Sequence, residues 1–261
     1  MLLDQYGKKL PLSATPQQKA LAVMREAARA ELSGAYDAAQ TTGENQKHWR
    51  YADDLSAAAA NSYQVRKTLR QRARYECLQS NSFGNGIVNT LANDTIATGP
   101  ILQIQSDPSI SKTIEQRFKR WCRSVKLPQK LRTARLAKIV DGETFLMRTN
   151  NPALRDACKL DIAVLEADQV STPGWYEGKP GMVDGIVFDR YNNPAVYHVL
   201  KQHPGEIWNL NSFAKVDVMA NDMIHLFNGV RPGQARGVPE VTPALPLFAF
   251  LRRYTLATIL A

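Results

Sequence analysis

The spacing of apolar positions changes about half-way along the chain. Residues 17–40, QQKALAVMREAARAELSGAYDAAQ, are rich in alanine, glutamate and arginine and predict a helix. TTGENQK then breaks the pattern as a polar loop. A second helical stretch runs from Asp53 to Gln79, where Leu69, Ala73 and Cys77 recur at i, i+4 and i+8 and lay an apolar stripe among arginines. NSFGNG reads as a turn, and IVNTLANDTIATGP as a helix closed by Gly99 and Pro100. ILQIQS alternates apolar and polar residues and predicts a half-buried strand. SKTIEQRFKRWCRSV returns to helical spacing, with Ile114, Phe118 and Trp121 on one side. LRTARLAKIVDGETFLMRTN predicts a helix that passes into a strand at Asp141–Gly142. KLDIAVLEADQVS, GMVDGIVFDRYNNPAVYHVLK and VDVMANDMIHLF have strand character, with a hairpin turn at Asn192–Asn193. The last stretch, VTPALPLFAFLRRYTLATILA, predicts an apolar helix after Pro246 that has no helix-stop signal, as if the chain were cut in mid-helix. Helices in the first half and strands in the second imply an α+β fold.

The length, 261 residues, suits one large domain or two small ones, and a composition of 44% hydrophobic and 22% charged residues is that of a globular protein. No window approaches 18 consecutive apolar residues, so no membrane span is expected. The start, MLLDQYGKKL, lacks the order of a secretion signal. Cys77, Cys122 and Cys158 are odd in number and far apart, which fits unpaired thiols better than disulfides or a zinc knuckle.

Charge sharpens this picture. The formal balance is +9, unevenly spread. RKTLRQRAR (66–74) holds five basic residues, Arg66, Lys67, Arg70, Arg72 and Arg74, and no acidic one. The window 117–138 holds nine more, beginning with Arg117, Lys119, Arg120 and Arg123, again without an acidic residue. Fourteen of the 33 basic residues thus sit in two short windows, leaving the rest of the chain net acidic by five. Such concentration implies a polyanionic partner or an acidic protein surface, or else two solvated amphipathic helices with basic wet faces.

Candidate chemistry is sparse. YADD (51–54) resembles a paired-aspartate metal site, but a helix-forming LSAAAANSYQ follows it, which favours an acidic helix start. GNGIVN (84–89) lacks the third glycine of a dinucleotide fingerprint and the strand that should precede it. No P-loop and no G-x-S-x-G elbow occurs. Asp141 and Glu143 are the carboxylate pair on which a metal-dependent nuclease reading would rest. His225, alternating with apolar residues in MIHLF, reads as a packed strand histidine, and His48, His198 and His203 show no metal spacing. We therefore expect no catalytic residue, cofactor or metal.

The remaining motif is RPGQARGVPEVTPAL (231–245), two arginines framed by glycine and proline just after MIHLF. Such a loop can grip phosphate through arginine forks, or lock a turn within or between subunits; spacing alone leaves both open.

Taken in order, several segments resemble the lambda-type portal proteins of tailed phages. LRQRARYECLQSNSFGNGIVNTLANDTIATGP carries Leu69, Arg70, Arg72, Arg74, Asn81, Gly86, Asn93 and Gly99, with threonine at 98. RFKRWCRSV supplies the tryptophan-containing helix, and LAKIVDGETFLMR the helix-to-strand passage through Asp141, Gly142 and Glu143. The next strands match through Glu166, Asp168, Gly185, Ile186, Asp189, Pro194 and Tyr197. IHLFNGVRPGQARGVPEVTPAL is similar to the family's most recognisable signature, through His225, Arg231, Pro232, Gly233, Gln234, Arg236, Gly237 and Pro239.

The resemblance, over roughly 48–261, implies a portal wing: an N-terminal helical arm (1–47), an α+β body of mixed or antiparallel strands (48–240), and the start of an apolar helix (241–261) leading towards the stem. Family members continue further, so the rest of stem, clip and crown is expected to be absent. The implied function is a structural subunit, not an enzyme. It would form a ring, usually of twelve, at one capsid vertex of the virion, assembled in the host cytoplasm, around the channel for DNA packaging and ejection. Implied partners are other copies of the chain, the terminase large subunit, head-completion and tail connector proteins, the major capsid or scaffold protein, and double-stranded DNA without sequence preference. Arg231, Gln234, Arg236 and Gly237 are then expected at a structural or inter-subunit junction. The basic residues of 66–74 and 117–123 are expected to touch DNA or protein. The alternatives are a metal-dependent nuclease and a monomeric basic nucleic-acid-binding protein.

Overall fold

One side chain decides where the first helical run gives way to the second. Helix α1 (Tyr63–Arg74) runs without a break into a π-helical segment, Tyr75–Ser80, that buries Glu76 and Cys77. Asn81 then leaves the helical region, and its Oδ1 accepts hydrogen bonds from the amides of Phe83 (3.0 Å) and Gly84 (3.3 Å), starting helix α2 (Ser82–Ile96). NSFGNG is therefore a cap and a first helical turn, not the expected chain turn between helices. Gly84 serves packing there: a Cβ would stand 2.9 Å from the carbonyl oxygen of Glu76, so only glycine lets α2 pass this close to the π segment.

The computed structural model describes residues 63–172, 181–205 and 214–260, with Pro16, Lys19, Ala20 and Ala22–Met24 near the start. The chain divides into two units, Met1–Leu55 and Ser56–Ala261. In the first, the positions just named are helical; the rest of the predicted helix at 17–40, and YADD at 51–54, lie outside the described residues. All elements that follow belong to the second unit.

Helix α3 (Pro108–Ser124) is capped by Asp107, which accepts from the Ser109 amide at 2.9 Å, with proline at the first helical position. Helix α4 (Leu127–Asp141) begins after left-handed Lys126 and stops at Gly142, whose φ of 86° ends it in the left-handed conformation. Arg132 fastens α4 to α2 by donating to Asn93 (2.6 Å) and Asn89 (2.7 Å).

The strands are β1 (Glu143–Asn150), β2 (Leu160–Leu165), β3 (Met182–Val183), β4 (Ile186–Phe188), β5 (Pro194–Leu200), β6 (Lys215–Met219) and β7 (Met223–Phe227). They form two antiparallel sheets, β2-β1-β7 and β3-β4-β5-β6. In the first, Phe145 stands opposite both Leu165 and His225. The β3–β4 hairpin turns on Asp184–Gly185, both at positive φ, as the right-handed twist of a two-residue loop requires. Asn192, at φ 62°, lies in the turn between β4 and β5.

Two predicted strands differ. VDVMANDMIHLF is two strands in different sheets, joined by a 3-10 turn at Ala220–Asp222. ILQIQS has no ladder partner among the described residues. Its alternation is real, with Leu102 and Ile104 half-buried between exposed Ile101, Gln103 and Gln105, but the surface it meets is a helix: the Ile104 amide donates to Glu115 of α3 at 3.0 Å.

Helix α5 (Leu245–Leu260) closes the described chain. One apolar cluster lies in the helical layer, with Cys77, Val88, Ile139, Val140, Val241 and Phe248 among its members. A second spans both sheets, with Phe145, Val170, Ile186, Tyr197 and Met223. Val140 belongs to the first and Phe145 to the second, and Glu143 falls between them in the chain.

Candidate functional site

Arg66, Arg70 and Arg74 recur every fourth residue of α1, so they share one face, and that face turns inward. Arg66 and Arg70 are buried and Arg74 is half-buried. Each meets a carboxylate from the sheet layer or its edge. Arg66 pairs with Asp184, and Arg70 pairs with Glu143 and, at 2.8 Å, with Asp168. Arg74 holds Asp141 at 2.6 Å, Asp168 at 3.1 Å and Glu166 at 3.2 Å.

Glu143 is the centre of this set and is fully buried. Its carboxylate accepts from Arg70, from Arg236 Nε at 2.8 and 3.0 Å, from His225 Nε2 at 2.9 Å and from the Gly237 amide at 2.9 Å. Arg236, 2% exposed, spends its other donors on main-chain carbonyls: Val170 (2.8 Å), Ala167 (2.9 Å) and Asp184. The planar fork suits this task because its donors leave in several fixed directions. One guanidinium therefore ties the loop after β7 to β1, to the segment 167–170 and to the β3–β4 turn.

The glycines explain how the loop gets so close. A Cβ on Gly237 would lie 2.1 Å from the Gly142 carbonyl oxygen, and one on Gly142 would lie 2.3 Å from the carbonyl carbon of Val238. The two backbones touch with no side chain between them. Gln234 braces the loop from inside, accepting from the Val230 amide at 2.9 Å and donating to the Arg236 carbonyl at 2.9 Å. Exposed Arg231 completes the turn through its carbonyl, which accepts from the Gln234 amide at 3.2 Å. Further on, Glu240 receives Arg135 on both carboxylate oxygens at 2.9 Å, joining the loop to α4.

The electrostatics follow. Burial acts most strongly on Glu143 and opposes its ionisation, but the Arg236 charge, the His225 hydrogen bond and the Arg70 charge overcome it and hold the carboxyl well below the usual range. Burial likewise resists charge on Asp168, yet Arg70 and Arg74 hold it low. His225 is pushed down, first by burial and then by the neighbouring arginine charges, against the pull of Glu143. It is thus a neutral ring that donates to Glu143, stacked on Phe145 (4.2 Å) and Phe227 (4.3 Å).

The nuclease reading needed Asp141 and Glu143 open to a metal ion, whereas both carboxylates face arginines: Arg74 for one, Arg70 and Arg236 for the other. Glu166, Asp168 and His203 bring one ligand atom each within 4.8 Å, a grouping that no sequence spacing announces. Arg74 already contacts both of its carboxylates, so a cation entering there would meet a guanidinium charge.

The two basic windows are placed differently. In 66–74 only Arg72 among the described arginines is fully exposed, and the Lys67 side chain lies outside the described residues. Arg66, Arg70 and Arg74 are turned to acids of the same chain, because the apolar stripe that faces them inward also runs through Ala73 and Cys77. In α3, Arg117, Lys119, Arg120 and Arg123 are all exposed and make no ion pair among the described residues. Sequence reasoning missed the acidic partners Asp168 and Asp184. Both sit beside positions with turn character, in ADQ and VDG, which was the available signal.

Among the described residues no helix is long and apolar enough to cross a membrane. A family model described as phage portal protein, lambda family, matches residues 42–261. No curated protein matches the chain.

Proposed function

From the premise that this chain belongs to the lambda family of phage portal proteins, we propose that it is a wing-like structural subunit of a portal ring at the capsid vertex of a virion. The single observation that carries the ring is helix α5. It buries Leu245 and Phe248 at its base, while Leu247, Phe250, Tyr254, Ile259 and Leu260 stay exposed along its length. An apolar surface of that extent marks an interface. Residues on several sides of the helix need more than one covering partner, as a head-to-tail ring supplies.

The helix leaves the body in a fixed direction. Arg252 donates to buried Glu76 at 2.9 Å, and Asn81 Nδ2 donates to the Phe248 carbonyl at 3.0 Å. The Glu143–Arg236 junction fixes the layer from which α5 departs. In this reading Arg231, Gln234, Arg236 and Gly237 hold wing geometry while α5 leads towards the channel for DNA packaging and ejection. The terminase large subunit, head-completion and tail proteins, and shell or scaffold proteins are its partners. Packaged duplex DNA is met without sequence preference, and assembly takes place in the host cytoplasm.

Light scattering of the purified chain at low and high salt, with negative-stain images of the same sample, tests this. Rings with a central channel are the expected result. A monodisperse monomer at all concentrations would refute ring closure through this part of the protein.

A further inference from the structure

Helix α3 carries its basic residues on two faces, and one of them borders a groove. Lys112, Glu115, Gln116, Lys119, Cys122 and Arg123 recur at i, i+3, i+4, i+7, i+10 and i+11, a single face about three turns long. Arg117 and Arg120 fall outside it. Thr98, Pro100, Ile101 and Leu102, with Pro128 beside them, form the facing wall, enclosing a volume of about 570 Å³. Its floor is apolar, with Pro100, Leu102, Phe118, Cys122 and Pro128. Its rim is basic: Lys112, Lys119 and Arg123 are exposed and unpaired among the described residues.

Two details say what fits. Glu115, the one carboxylate in the groove, is turned to the wall, where it accepts from the Ile104 amide at 3.0 Å. The ligand-facing charge is therefore positive, and the wall is held in place. Ile101, at the lip, is 79% exposed.

We propose that this groove docks an extended acidic segment of a partner protein. Its carboxylates meet Lys112, Lys119 and Arg123, and an apolar side chain fills the floor. Duplex DNA fits worse. Phosphates could reach the rim, but a rigid duplex would leave the apolar floor and Ile101 wet, and the only aromatic ring in the lining, Phe118, is half-buried beside Trp121 at 5.8 Å. The docking involves neither α5 nor the Glu143 junction, so it stands whether or not rings form.

The test is selection from a random library of extended peptides on the purified full chain. Anisotropy titration of the dominant peptide then follows, on wild type, on the K119E/R123E variant and on R120E, each checked by circular dichroism for intact folding. The expected result is enrichment of acidic peptides that carry an apolar residue. Their affinity should fall at least about tenfold in K119E/R123E and hold in R120E, because Arg120 faces away from the groove. Enrichment of non-acidic peptides, or an affinity indifferent to K119E/R123E, would overturn the proposal. So would displacement of the peptide by a short DNA duplex that itself binds through Lys119 and Arg123, which would make this face a nucleic-acid surface.

Discussion

Replacing Arg236 by methionine removes the most connected side chain in the junction while keeping most of its volume. Three main-chain carbonyls, those of Ala167, Val170 and Asp184, lose their charged donor, and Glu143 loses one of two arginines. Each buried polar group left unsatisfied costs about 1–3 kcal/mol, and breaking a buried ion pair costs about 3–5 kcal/mol. Glu143 keeps Arg70, His225 and the Gly237 amide, which limits the damage. The expected loss is therefore about 3–5 kcal/mol, a large share of the roughly 5–15 kcal/mol that a folded domain holds. Arg236→Lys keeps the charge but not the fork, so most of the loss should remain. Glu143→Gln strands Arg70 and Arg236 together and should cost a similar amount. The double variant Arg236→Met/Glu143→Gln should then fall short of the sum by at least about 1 kcal/mol, since both changes break one network. Urea unfolding followed by circular dichroism, with the slope held constant across variants, reads all four. A loss below about 1 kcal/mol for Arg236→Met, or strict additivity in the double variant, would refute the junction as described.

Gly237→Ala should destabilise by about 1–3 kcal/mol because its Cβ would meet the Gly142 carbonyl at 2.1 Å. Gly233→Ala, at φ 74° in open space, should cost only about 1 kcal/mol, and equal melting temperatures for the two would contradict the close approach. Asn81→Ala should cost about 1–2 kcal/mol in urea melts, since it removes the α2 cap and the bond to the Phe248 carbonyl. Acid should weaken the fold in two stages. His225 is depressed in the folded state, so its contribution is complete above about pH 6.5 and is lost as pH falls below it. Glu143 and Asp168 are depressed too, and their contribution fades below about pH 4.5. Calorimetric melts from pH 8 to about 2 should show both stages, and His225→Gln should abolish the upper one; its survival there would assign that stage to another group.

Most of the elements were legible because their signals are local. The passage from α4 to β1 at Asp141–Gly142 and the helix expected after Pro246, which begins at Leu245, follow directly from spacing and from glycine or proline. The misreadings have different causes, one a local cap read as a turn and the other a packing surface outside the segment. NSFGNG is helical because Asn81 caps it and Glu76 packs on Gly84. ILQIQS lies against a helix, and nothing within six residues says which surface an alternating segment meets. Charge was the least legible quantity. The two basic windows look alike in composition, yet α1 turns three of its arginines into the fold and α3 turns Arg117, Lys119, Arg120 and Arg123 to solvent. A net balance of +9 could not separate them, because the acids that neutralise the first window lie 67 to 118 positions further along the chain.

An apolar junction between the helical layer and the sheets would hold them together about as strongly, because a buried ion pair seldom outperforms well-packed hydrocarbon. What it would lack is direction. Apolar surfaces of similar shape tolerate repacking and lose uniqueness before they lose stability. Two such surfaces lie here on either side of Glu143, one in the helices and one in the sheets. Arg70 and Arg236 meet at Glu143 from different elements, and each bond has a fixed angle, so a shift of one layer over the other breaks several charged contacts at once. In the ring proposed above, a subunit would need this property more than added stability: a small error in the angle between its layers would be multiplied at every interface, and the ring would then fail to close.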